Sequence, residues 1–203
     1  MTVIVLVLVG AVAIGWLRGG SFDRLAQLPM QQGWLVVVAA ALTALGANGG
    51  RLGLPQQPAY VGCTVAAAAL VVLFVVRNRT LVGVPLMAVG FALNAAVIVA
   101  NGAMPVSQEA AAYAGVEIDV ILAGDDARHE LLADGTRLRL LADVIAVPLP
   151  GPLSGRSNVV SAGDVVLAAG IGHLVAAGMM GNGVRRRTPW QWLRSRRSSR
   201  APS

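Results

Sequence analysis

Five apolar blocks punctuate this chain, and each is close to the length a helix needs to cross the hydrocarbon core of a bilayer. They run over Thr2–Leu17, Gly33–Ala47, Ala59–Val76, Leu81–Ala100 and Val159–Gly181. A spanning helix takes roughly 17–25 mostly apolar residues, so the second block, the shortest, is expected to fray into the interface at Trp34 and Gly46. A soluble core of the same size would need a charged shell, and only 13% of the residues are charged against 56% hydrophobic. The expected fold is therefore an all-α membrane protein. It comprises a five-helix transmembrane bundle over residues 1–181, including a loop at 101–158, followed by a basic tail at 182–203.

The arginines orient this bundle. All 16 basic residues are Arg, and an outside N-terminus places 11 of them on the inner side, in segments 18–32, 77–80 and 182–203. The outer side keeps Arg51 and four arginines in loop 101–158, where eight acids leave a net charge of −4. This partition obeys the positive-inside rule, so the expectation is an outside N-terminus and a cytoplasmic C-terminus. The first block lacks the basic n-region and small-residue cleavage site of a signal peptide, and Arg18 and Arg24 follow it, so it is expected to stay as a helix. Arg185-Arg186-Arg187 followed by Trp190 and Trp192 is the composition of an interfacial anchor for anionic lipid.

That location also answers the nucleic-acid reading that a net charge of +6 invites. Seven arginines lie beyond Asn182, where membrane topology alone accounts for them. Cys63 is a single thiol within an apolar block, read as a small buried hydrophobe. The two histidines, His129 and His173, lie in different environments and form no ligand cluster, so neither a metal nor a cofactor is expected. There is no Gly-rich phosphate loop after a strand and no strand–turn–helix elbow to present a serine. Five spans do not divide into the equal halves of many transporters, although a homodimer would restore symmetry.

Polar groups inside spans cost energy unless paired, which makes them informative. Asn94 shares a narrow stripe of the fourth helix with Gly83, Gly90 and Asn101, the pattern of a packing seam bridged by an amide. His173 is expected in a groove of small residues formed by Ala169, Gly170, Ala176 and Ala177. Asp164, half a turn away in direction, follows Ser161 at capping-box spacing and opens the fifth helix.

Local signals recur in the connecting segments. Ser21 and Ser107 are placed to cap short helices at 21–28 and 107–113. Val116–Leu122 alternates and reads as extended. Thr136–Ile145 carries apolar residues at helical spacing and is expected as an amphipathic helix, before Pro148-Leu149-Pro150-Gly151-Pro152 stiffens the return to the membrane.

Three stretches together carry a resemblance that covers essentially the whole chain. They are Asn101-Gly102-Ala103-Met104-Pro105-Val106, then His129 followed by Thr136-x-Leu138-x-x-Leu141-x-Asp143-Val144-Ile145, and Val159-Val160-Ser161-x-Gly163-Asp164-Val165. In these the chain resembles a family of small bacterial integral membrane proteins of unknown function. The family pattern has Pro after Asp-Val-Ile, where this chain has Ala146. The resemblance implies the five-helix topology and no activity.

All three stretches map to the outer side, so Asn101, Met104, His129, Asp143 and Asp164 are the candidate outer polar cluster, with Asn94 and His173 as the intramembrane polar residues. Two functions fit: a multi-pass cell-membrane protein of the envelope presenting its ordered loop to a partner protein, a second copy or a lipid headgroup, or a membrane-embedded enzyme or carrier for a lipid-linked intermediate. Membrane lipids are the expected partner in either case. Convergence of these residues on one cleft would favour the second, and separate capping roles the first.

Overall fold

The computed structural model describes residues 2–122, 126, 128–151, 155 and 157–185. The helices are α1 (Thr2–Leu17), α2 (Phe22–Ala26), α3 (Trp34–Ala47), α4 (Gln56–Asn78), α5 (Val84–Asn101), α6 (Gln108–Ala114), α7 (Asp119–Leu122) and α8 (Ala162–Met179). The strands are β1 (Met104–Val106), β2 (His129–Leu131), β3 (Ile145–Val147) and β4 (Asn158–Val160). The tryptophans and most arginines of the proposed anchor, from Arg186 onward, lie outside the described residues.

Three helices, α4, α5 and α8, are long and apolar enough to cross a membrane. The other two apolar helices, α1 and α3, are shorter; the 14 residues of α3 reach roughly 21 Å at 1.5 Å per residue, short of a ~30 Å hydrocarbon core. The five apolar helices pack in the lateral order α3, α4, α5, α8, α1, with α2 lying against α8. Apolar side chains cover their outward faces, as a lipid-facing surface requires: Val37, Val72, Val76, Val89 and Val99 are all exposed.

Side chain and backbone ties gather the short connections at one end. Ser21 N donates to Met179 O, Val82 N to Gly183 O and Arg185 N to Thr80 O. Asn78, fully buried in α4, clamps the segment before α3 by accepting from Gln31 N and donating to Gln31 O, both at 2.8 Å. Arg18, Arg24, Arg77, Arg79 and Arg185 thus share one end of the bundle, and the segment 101–158 occupies the other. Around the clamp, Leu35, Phe74, Leu81, Val84 and Leu174 form one apolar core.

The α5–α8 seam is built from missing side chains. A Cβ on Gly90 would strike the backbone N of Leu167 and come within 2.5 Å of Gly163 O, and one on Gly170 would come within 2.6 Å of Met87 N. Glycine here lets two backbones touch. Gly83, at φ 82°, serves the same seam and also starts α5 in a conformation that other residues adopt only under strain.

The segment 101–158 is a small cap rather than a purely helical loop, which corrects the all-α expectation. β1 and β2 pair in parallel, with Met104 opposite His129; β3 and β4 pair antiparallel, with Ile145 opposite Val160. Val106, Ala110, Ala111, Ala114 and Val159 form the core of this cap. Ser107 caps α6 by accepting from Ala110 N, and Ser21 caps α2 by accepting from Arg24 N, as expected. Two other local expectations fail. Asp119–Leu122, expected extended, is a helical turn, because backbone bonds from Ile121 and Leu122 close on Ile118 O. Thr136–Ile145, expected as one amphipathic helix, is a turn, a single 3-10 turn at Arg139–Leu141 and the start of β3, because Asn101 and β1 capture its backbone groups.

Candidate functional site

β1 is the organising element. Its three residues, all buried, continue directly from the end of α5, where Gly102 at φ 95° turns the chain. On one side it pairs with β2, which carries His129. On the other side Asp143 N donates to Pro105 O and Ser107 N donates to Asp143 O, each at 2.9 Å. Asp143 and His129 therefore face each other around one strand although 14 positions separate them in the chain.

His129 lies between two carboxyl groups. Its Nδ1 is 2.7 Å from Asp126 Oδ2, and its Nε2 is 4.0 Å from Asp143 Oδ2. A carboxylate only accepts, so the proton of this short bond sits on Nδ1 and Nε2 is left open toward Asp143. Asp126 also receives the Arg128 guanidinium and backbone N–H. Burial acts to raise its pKa, but these hydrogen bonds from Arg128 and His129 win and hold it down at about 2.

Asp143 is the opposite case. It is 6% exposed, its Oδ1 has no hydrogen-bond partner among the described residues, and burial together with the nearby Asp164 carboxylate pushes it up to about 7. The two acids that flank His129 are thus held in different protonation states near neutrality. They border a cavity of about 290 Å³ whose polar lining is Glu117, Asp126, Arg128, His129, Asp143 and Asn158 and whose apolar side includes Val106, Ile118 and Val159. The 4.0 Å between Nε2 and Asp143 Oδ2 is too long for a hydrogen bond but is spanned by one hydroxyl or ammonium bonded to both at ordinary distances.

The other candidates take separate roles. Met104 is buried beneath the cap in the core with Tyr60, Val97 and Ile98. Asn101 donates to Val97 O and Arg137 O and accepts from Arg137 N, so it pins the 136–141 segment to the end of α5; it borders a different cavity, with Glu130, Thr136 and Arg137. Asp164 completes the capping box of α8, accepting from Ser161 N while its own N donates to Ser161 Oγ. Asn94 donates to Asp164 Oδ1 at 2.6 Å and accepts from Ser161 Oγ at 2.8 Å, so the expected packing seam also braces the cap of α8.

His173 lies in α8 and is exposed, while Gly170 and Gly172 beside it are buried. Asp126 was absent from the sequence-based cluster. Its signal was its position three residues before His129, a spacing that loop geometry turns into contact. Among the described residues, no three His, Cys, Asp or Glu side chains are placed to hold a metal ion.

A family model described as a family of unknown function (DUF5317) matches residues 27–176. The chain belongs to this family. The DUF5317 match takes in every candidate residue from Asn94 to His173 and all of the cap, while α1 and α2 lie before it. An uncharacterised protein of Thermotoga maritima is 33% identical over 100 residues, which are 49% of this chain and 54% of that protein. The chain therefore spans about half the length of that relative. No solved structure matches the chain.

Proposed function

We propose that this DUF5317 chain is a five-span protein of the cell membrane, with its N-terminus and cap outside, and that it binds a small polar ligand or lipid headgroup in the cleft between His129 and Asp143. The single observation behind the binding role is Asp143: a buried carboxyl with an oxygen left unpartnered, at the wall of a cavity beside an imidazole whose open nitrogen faces it. A buried polar group without a partner costs about 1–3 kcal/mol, which a bound hydroxyl or ammonium would recover. The topology rests on the five apolar blocks, on the end of the bundle shared by Arg18, Arg24, Arg77, Arg79 and Arg185, and on the acidic character of the cap.

One contact favours a catalytic version of the same site. Asp126 fixes the His129 tautomer in the way that a carboxylate orients a general base, with Nε2 open toward the cavity. A membrane-embedded enzyme or carrier acting on a lipid-linked intermediate is the alternative role.

Native mass spectrometry of the detergent-purified chain tests the binding role. A co-purifying small ligand or lipid is expected on the wild type and lost in both His129→Ala and Asp143→Ala. Equal adducts on all three proteins would refute the site. Lipid profiling of an envelope lacking the protein separates the two roles, since an accumulated intermediate assigns turnover and an unchanged profile assigns binding.

A further inference from the structure

The turn that replaced the expected helix at 136–141 carries a feature the cleft does not use. Leu140 is 88% exposed and Leu138 47% exposed, flanked by the exposed arginines Arg137 and Arg139. Exposed leucine on a water-facing cap would be unremarkable singly, but this pair has a fixed height. Asn101 in the last turn of α5 holds Arg137 through both backbone groups, and Arg137 Nη1 reaches Ala100 O at 3.4 Å. Next to the exposed pair, Leu141 turns inward and packs against the core of Tyr60, Val97, Ile98 and Met104, where α4 begins and α5 ends. The 3-10 turn also touches α8.

The segment therefore sits at the rim where three span-length helices end. A bilayer matched to those helices places its headgroup layer at that level. We infer that residues 137–140 form an interfacial anchor, with Leu138 and Leu140 seated at the acyl boundary of the leaflet on the cap side and Arg137 and Arg139 among its anionic phosphates. The backbone supports this placement. Leu138 is one of two non-glycine residues with positive φ among those described, at 55°, and this strained conformation turns its side chain out of the cap instead of into it. Alternation of Leu and Arg matches the two layers of an interface, apolar below and phosphate above. Arg139 lies 3.9 Å from the fully exposed Asp134, a contact that water screens and a phosphate replaces.

The inference rests on the membrane-spanning reading of the helices, and one labelling experiment separates the two. In a Cys63→Ala background, single cysteines Leu140→Cys, Leu138→Cys, Ala92→Cys and Glu109→Cys are labelled with an environment-sensitive fluorophore. The full chain is then reconstituted in vesicles of phosphatidylcholine and phosphatidylglycerol. Ala92 is an exposed mid-α5 position and Glu109 an exposed position on the cap. Labels at 140 and 138 are expected to be quenched several-fold more by lipids nitroxide-labelled near the headgroup than by aqueous iodide, and the label at 109 to behave the opposite way. Iodide quenching at 140 and 138 equal to that at 109, with Ala92→Cys quenched by chain-labelled lipid, overturns the anchor and leaves the spans standing. Loss of lipid quenching at 92 as well overturns both. Arg137→Gln with Arg139→Gln is expected to reduce lipid quenching at 140 in the mixed vesicles more than in pure phosphatidylcholine; an equal change in the two lipids overturns the contact with net-anionic headgroups.

Discussion

Asn94 Nδ2 donates to Asp164 Oδ1 across 2.6 Å, joining the middle of one span-length helix to the first turn of another 70 positions later. The same amide accepts from Ser161, so three polar side chains satisfy one another at a seam otherwise made of glycine and aliphatic residues. Inside a bilayer such a closed network is the affordable way to keep a carboxylate near the apolar core.

Replacing Asn94 with Ala leaves Asp164 and Ser161 each short of a partner. The expected loss of stability is roughly 1–3 kcal/mol. A double-mutant cycle with Asp164→Ala should give a coupling of about 0.6–1.7 kcal/mol, the range of interhelical hydrogen bonds in membranes. Thermal unfolding in detergent measures both, and additive losses would mean that the two side chains act independently. Asp164→Asn, which keeps an acceptor for the cap, should leave membrane insertion intact.

Gly90 offers a sharper test of the seam. Its absent Cβ faces backbone atoms of α8, which cannot yield as a side chain can. Even Gly90→Ala should therefore cost about 1–3 kcal/mol, against the gain that Ala brings to an unconstrained helix position. A melting temperature at or above that of the wild type would show that α5 and α8 are farther apart than described.

Asp143 sets a pH dependence of the cap. Its folded pKa, about 7, lies above the unfolded value near 3.9, so the folded state binds the extra proton. Stability from this group is complete below about pH 4 and falls as pH rises to 7, by up to about 4 kcal/mol. Asp126, held at about 2, opposes the trend only at the lower end of that window, where its unfolded form is still partly protonated, and is ionised in both states above about pH 5. Protection factors of the described amides in 104–160, with exchange corrected for its intrinsic pH dependence, should fall between pH 4 and 7, and Asp143→Asn should flatten that profile. A flat wild-type profile would place Asp143 in contact with water.

Asn101→Ala should loosen the 136–141 segment without disturbing the bundle, because its bonds to Arg137 tie that segment to α5. Faster exchange and protease cleavage confined to 136–141 are expected. Protection as in the wild type would mean that Leu141 packing alone holds the turn.

The apolar blocks already marked the five apolar helices, three of them long enough to cross a membrane, because length and hydropathy are properties of consecutive residues. Capping by Ser21, Ser107 and Ser161 was legible for the same reason: donor and acceptor lie three positions apart. The cap was not legible. Its strands are three residues long, too short to show a period, and each is made by pairing with a segment remote in the chain. His129 and Asp143 were visible as candidates, but only β1, passing between them, brought them to one cavity, and only the folded chain sets Asp126 against His129. Asn101 and Asp164, equally conspicuous in sequence, were taken up by backbone groups and by Asn94 instead. Which polar group is free to meet a ligand depends on which partners the fold leaves unsatisfied, and that is decided by contacts across the chain rather than along it.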